Sequence, residues 1–175
     1  MIQLVLSSAP LDEVPGKVAV ITFFEDVRPL RGSTELIDWR LNGRISELIV
    51  QGRLSGALSE ALIMPSQGRL SADEILLFGL GRSGEMTGPK LDEVFSKVVE
   101  KLVRLKSPGF VASFGDFSTD FMSWRGVLRS FMTTLSQKAG PHQDLQVVCA
   151  EDPRWIHEAK RRNMDFGANV DLAYA

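Results

Sequence analysis

Gly79-Leu80-Gly81-Arg82-Ser83-Gly84 carries the spacing in this chain that most invites a chemical reading. It fits G-x-G-x-x-G after an apolar run, the pattern in which a glycine-rich turn lets backbone N–H groups approach a pyrophosphate. In that arrangement a helix opens inside the motif and points its N-terminus at the phosphates. Here Thr87-Gly88-Pro89 sets the helix start about five residues too late, so binding of a nicotinamide dinucleotide is not expected. A glycine-rich loop at the C-terminal end of a strand still presents N–H groups to a phosphate. Gly79, Gly81, Arg82, Ser83 and Gly84 are therefore the candidate ligand-binding residues, against the alternative of a tight loop before a helix.

Other reactive side chains are sparse. The two histidines, His142 and His157, lie in no zinc-binding spacing, His142 after Gly140-Pro141 in a loop and His157 on a helix surface. No G-x-S-x-G elbow offers a nucleophilic serine. Glu25 with Asp26 and Asp73 with Glu74 are carboxylate pairs, but neighbours on a strand point to opposite faces and make no ready acid/base dyad. No catalytic residue, metal site or cofactor is expected. Lys160-Arg161-Arg162 with Arg154, and Arg125 with Arg129, read as solvated faces of an acidic protein of net charge −2, so nucleic acid is not expected as a partner. Cys149, the one cysteine, reads as a small core residue. Trp39, Trp124 and Trp155 fall in helical patterns where packing is the default, and an exposed one among them would hint at a partner surface.

These residues must be positioned by a chain of 175 residues, 44% of them hydrophobic, which fits one globular domain. That length buries roughly 70% of the unfolded surface without disulfides or a structural metal. The apolar run Leu4-Val5-Leu6 has no basic flank and meets Ser7, Ser8 and Pro10, so neither a signal peptide nor an anchor is expected, and no membrane span is visible. A cytoplasmic location is the expectation.

Apolar runs at Gln3 to Leu6, Val18 to Phe24, Ala61 to Met64, Ile75 to Leu80, Phe110 to Phe114 and Leu145 to Cys149 predict about six strands buried on both faces. A helix is predicted over Pro89 to Leu105, where Leu91, Val94, Phe95, Val98 and Leu102 share a stripe and Pro89 suits the first turn. A second is expected from Asp120 to Lys138, capped by Ser118, with Phe121, Trp124, Leu128, Phe131 and Leu135 inward and Gly140-Pro141 as the stop. A third starts at Asp152-Pro153 and ends near Asn163. The short gap between Met64 and Ile75 makes that strand pair antiparallel, so the fold expected is an α/β three-layer sandwich with a mixed, largely parallel sheet. Residues 164–175 show no period and read as a loose tail or a short extra strand.

Leu36 to Gly56 has a pattern of its own: Ile37-Asp38, Gly43, Ile45, Leu48, Gly52 and Gly56, followed downstream by Gly79-Leu80-Gly81. Read from the residues, two short helices meet at Gly43, with Leu36, Leu41, Ile45, Leu48 and Ile49 on one apolar face. Gly52 is a helix C-cap and Gly56 a turn residue where no side chain fits. This order of residues over roughly 3 to 105 resembles the N-terminal domain of the leucyl aminopeptidase family, peptidase family M17. The resemblance implies a macro-domain-like fold, used in that family as a non-catalytic module. It also implies that peptidase chemistry belongs to a separate C-terminal domain, whose two-metal site includes an Asn-Thr-Asp-Ala-Glu-Gly-Arg motif. No such string occurs here.

Two functional expectations follow. One is a non-catalytic interaction or regulatory module, not an enzyme, whose partner is a second copy or a separately encoded aminopeptidase catalytic chain. The other is a small-molecule sensor that takes ADP-ribose or a nucleotide near Gly79 to Gly84, a ligand class the macro-domain resemblance implies.

Overall fold

The computed structural model describes residues 1–117, 122–139 and 144–175. Ser118, Asp120, Phe121, Gly140, Pro141 and His142, named above as a cap, a helix start, a stripe residue, a stop and a loop histidine, lie outside the described residues.

The apolar runs form strands β1 (Ile2–Ser7), β2 (Gly16–Phe23), β3 (Ala61–Pro65), β4 (Ala72–Gly79), β5 (Gly109–Ala112) and β6 (Leu145–Ala150), and a seventh, β7 (Val170–Tyr174), follows in the tail. The described strands make one sheet in the order β3-β4-β2-β5-β6-β1-β7. Every pairing is parallel except the predicted antiparallel one between β3 and β4. The tail is thus a strand beside β1, with Ile2 opposite Val170 and Leu6 opposite Tyr174. The tail takes the short-strand alternative, and with it the described strands number seven.

Alternation along the strands explains why their sequences are apolar on both sides. Val18, Val20, Leu76, Phe78, Phe110 and Val147 face one core, while Ala19, Ile21, Ile75, Leu77 and Val111 face another. The first core is covered by α3 (Gly88–Arg104), α4 (Trp124–Lys138) and α5 (Pro153–Arg162), the second by α1 (Gly32–Arg40) and α2 (Arg44–Val50). The result is the expected three-layer α/β sandwich. β3 departs from the expectation of burial on both faces, because it is an edge strand whose Ile63 is 41% exposed. No helix among the described residues is long and apolar enough to cross a membrane.

The helix ends follow the expected chemistry with one shift. Thr87 caps α3 by accepting from the Lys90 N–H, and Pro89 sits in its first turn. α4 begins at Trp124, capped by Ser123, whose hydroxyl accepts from the Gly126 N–H. Asp152 caps α5, which ends at Asn163 in the left-handed region (φ 45°). α1 and α2 meet at Gly43 as predicted, and its φ of 80° is a conformation that side chains disfavour.

The break is closed by Asp38, whose buried carboxylate accepts from the backbone N–H of Ile45 (2.7 Å) and Ser46 (3.1 Å) and from the Ser46 hydroxyl. A residue on α1 therefore caps α2. Asp38→Ala leaves a buried N–H without its acceptor, and we expect a loss of about 2 kcal/mol in urea unfolding. A change within 0.3 kcal/mol, roughly that of a neutral surface substitution, would contradict this role.

Candidate functional site

In open α/β sheets ligands bind outside the carboxyl ends of the strands, and the candidate loop lies at that edge, directly after β4. Its first two glycines are used for backbone packing. Gly79 donates its N–H to the Glu60 carbonyl (2.8 Å) and accepts from the Ser59 N–H (3.0 Å), and Gly81 donates to the Gly56 carbonyl (2.9 Å). A Cβ on Gly79 would lie 2.1 Å from the Ala57 carbonyl oxygen. Arg82, Ser83 and Gly84 are exposed. Ser83 opens a short 3₁₀ turn, Ser83–Glu85, and the next helix starts only at Gly88, so no helix N-terminus faces this loop from within the motif.

One loop residue meets a cavity. Ser83, with Leu80, borders a space of about 230 Å³ walled by Phe23, Phe24, Val27, Leu30, Arg31 and the first residue of α1, Gly32. The Ser83 N–H and hydroxyl both donate to the Asp26 carboxylate, at 2.8 and 3.1 Å. The backbone donor from Ser83, aided by its hydroxyl and by Arg82, holds Asp26 below its ordinary 3.8. Asp26 is thereby an anion that fixes the loop. Glu25, its neighbour, is exposed, and Asp73 pairs with Lys17 at 3.4 Å.

Other carboxylates behave the same way. Burial pushes Glu60 up, but the N–H groups of Ser55 and Gly56 and the Ser55 hydroxyl outweigh it and hold the group below its usual 4.5. Asp152 is held low by Arg154, through its side chain and its backbone N–H. Glu151, 5% exposed, accepts from the backbone N–H of Phe114 and of Gly115. Among the described residues no group of three or more His, Cys, Asp or Glu side chains lies together in a way that could hold a metal ion. Burial raises the Cys149 thiol well above its ordinary value, with Glu151 adding to the effect.

The crevice between β2 and β5 is filled by rings. Phe131 lies 5.1 Å from Phe95, 5.7 Å from Phe110 and 4.7 Å from Phe114, and Phe117 completes the cluster. About 10 Å³ remains there, no more than one water needs.

The three tryptophans separate. Trp124 is fully buried and stacks on the half-buried Trp155 at 5.9 Å. Trp39 is 69% exposed on the outer face of α1, with the Arg40 guanidinium 5.1 Å from its ring. An open groove of about 650 Å³ runs beside it, bordered by Gly32, Glu35, Leu36, Asn42 and Gly43. The cationic residues of α5 are dispersed: Arg154 pairs with Asp152, Arg162 with Glu158, and Lys160 lies over the Tyr174 ring, while His157 is exposed. Sequence reasoning flagged Asp26 only as half of a solvated pair, and it did not anticipate Glu151, because each acts on a loop far away along the chain.

The sequence profile of the cytosol aminopeptidase family, N-terminal domain, matches residues 20–137. A probable cytosol aminopeptidase of Pseudomonas syringae pv. tomato is 27% identical over 134 residues, which is 77% of this chain and 27% of that protein. A second, from Sulfurihydrogenibium sp., is 32% identical over 101 residues, 58% of this chain and 20% of its own length. The chain thus spans about a quarter of the length of these curated relatives. Among solved structures, a Trypanosoma brucei macrodomain superposes with a TM-score of 0.70 at 11% identity, covering 90% of this chain and 65% of that one. The macrodomain of Thermus aquaticus DarG gives 0.65 at 11% identity, covering 85% and 98%. A leucine aminopeptidase from tomato gives 0.61 at 15% identity, covering 86% of this chain and 32% of that one. At such identities the likeness is one of fold.

Proposed function

Since the chain belongs to the cytosol aminopeptidase family through that family's N-terminal domain, we propose that it is a non-catalytic interaction module working through protein contacts. The observation that carries this reading is Trp39. Among the described residues it is the only aromatic side chain left largely in solvent, and it stands beside an open groove. Tryptophan leads the residues that dominate binding energy at protein interfaces. The carboxylates support the same reading, because Asp26, Asp38, Glu60 and Glu151 are engaged as acceptors for the chain's own backbone N–H groups. The partner class is a separately encoded aminopeptidase catalytic chain or a second copy, and the location is cytoplasmic.

The test is capture of partners from the source cells on tagged protein, followed by reconstitution with the purified catalytic chain. We expect stoichiometric binding that Trp39→Ala weakens at least tenfold, roughly 1.4 kcal/mol, with the melting temperature unchanged. No hydrolysis of a leucyl chromogenic substrate is expected with added Mn²⁺ or Zn²⁺. Hydrolysis abolished by a chelator would overturn the reading.

The cavity beside Ser83 favours one alternative, a sensor for ADP-ribose or a nucleotide near the Gly79, Gly81, Arg82, Ser83 and Gly84 loop, of which Ser83 lines the cavity. Its 230 Å³ falls below the roughly 300–1,000 Å³ of drug-sized ligand sites, so it fits part of such a ligand. A saturable rise in melting temperature with ADP-ribose would move this reading into first place.

A further inference from the structure

The ladder between β5 and β6 ends with Ala112 opposite Cys149, and two residues further on each strand stand Phe114 and Glu151. That register brings Glu151 across from the β5 exit loop. Its backbone is fixed independently, by an N–H donated to the Ser7 carbonyl of β1 at 2.9 Å. From there its carboxylate accepts the N–H groups of two consecutive residues, Phe114 and Gly115, one on each oxygen. Two successive backbone N–H groups converging on one anion form the concave nest that elsewhere binds phosphate. This nest lies at the carboxyl edge of the sheet, where α/β folds take their ligands.

The surroundings supply further donors. A methyl placed on Gly115 would sit 3.1 Å from the Glu151 Oε2, 3.7 Å from the Trp155 indole nitrogen and 3.9 Å from the Ser113 hydroxyl. An indole N–H and a hydroxyl therefore border the space over Gly115, and neither brings a negative charge.

We infer that the Phe114–Gly115 loop is an oxyanion-binding nest that this chain fills with its own Glu151 carboxylate, and that a phosphate group is the ligand it would take once that carboxylate is removed. The site is closed to external anions in the native chain, whichever partner the Trp39 face engages. Glu151 is nine-tenths buried, so its charge is held by these donors, and leaving them empty costs the fold what a bound anion restores.

The experiment compares wild type, Glu151→Ala and Glu151→Gln in inorganic phosphate, with sodium chloride matched in ionic strength. Glu151→Ala should bind phosphate at least tenfold more tightly than wild type by calorimetry. Its amide shifts on titration should concentrate at Phe114 and Gly115. Glu151→Gln, which keeps an acceptor oxygen in the nest, should stay unresponsive. Equal stabilisation of all three proteins is the excluded-salt effect of phosphate and would overturn the inference. So would a folded Glu151→Ala with no phosphate binding, or with shifts elsewhere. If Glu151→Ala does not fold in buffer, its refolding yield is the readout: recovery in phosphate and not in chloride supports the nest, and failure in both overturns it.

Discussion

Gly79→Ala should destabilise the chain by about 3–5 kcal/mol, a large part of the 5–15 kcal/mol typical of a domain. The added methyl would lie 2.1 Å from the Ala57 carbonyl oxygen and 2.6 Å from the Gly56 carbonyl carbon, so it meets backbone on the far side. Withdrawal is blocked because the same residues are tied by the Gly79 N–H to Glu60, the Ser59 N–H to Gly79 and the Gly81 N–H to Gly56. Relief means parting the end of β4 from the 56–60 loop, which combines an overpacking cost of roughly 1–3 kcal/mol with lost hydrogen bonds of about 1 kcal/mol each. Thermal unfolding should shift down by roughly 10 °C. A variant that melts within about 2 °C of wild type would show that the loop yields. If it also lost affinity for a nucleotide, Gly79 would be a ligand contact and not a packing residue.

Phe131→Ala should cost about 3–5 kcal/mol by opening a cavity at the centre of the aromatic cluster between α3, α4 and the sheet. Phe131 is 2% exposed, and its ring is flanked by Phe95, Phe110 and Phe114. The near-perpendicular contacts with Phe95 (89°) and Phe110 (77°) are edge-to-face, an arrangement favourable beyond the area it buries. Urea unfolding gives the number, and Phe114→Ala combined with it should be less than additive because the rings touch. A loss under about 1.5 kcal/mol would mean that the crevice collapses around the smaller side chain.

Much of this architecture is legible in the chain because local and tertiary signals agree. α3 has a Thr87 cap, a first-turn proline and an apolar stripe, so its bounds are written twice over. The break at Gly43 is legible because a glycine between two apolar half-stripes has few other uses. β7 is hard to read for the opposite reason. A five-residue, half-buried edge strand containing Asp171 shows neither a continuous apolar run nor clean alternation, and its identity depends on β1 lying beside it. α4 begins at Trp124 and not near Asp120, because Ser123 is extended (ψ 156°) and its hydroxyl caps the helix by accepting from the Gly126 N–H, a signal no stronger in sequence than other serines nearby.

The candidate site is less legible than the fold. A glycine needed for contact with a ligand and one needed for contact with another strand look alike in sequence, and Gly79 is of the second kind. Asp26 reaches Ser83 over 57 residues and Glu151 reaches Phe114 over 37. Neither pairing leaves a local spacing, since each is created by which strands become neighbours. Trp39 was legible only as a conditional: a tryptophan in a helical pattern becomes a partner signal once its face is known to point outward.

Cys149 is the last but one residue of β6, between two other parallel strands, fully enclosed, with its thiol held in the unreactive protonated form. It is the chain's only sulfhydryl. The molecule thus contains its own stopwatch: a thiol reagent can attach only in the moments when the centre of the sheet comes apart. The rate of that single labelling event ranks any two variants by how often they open, without a dye or an engineered probe.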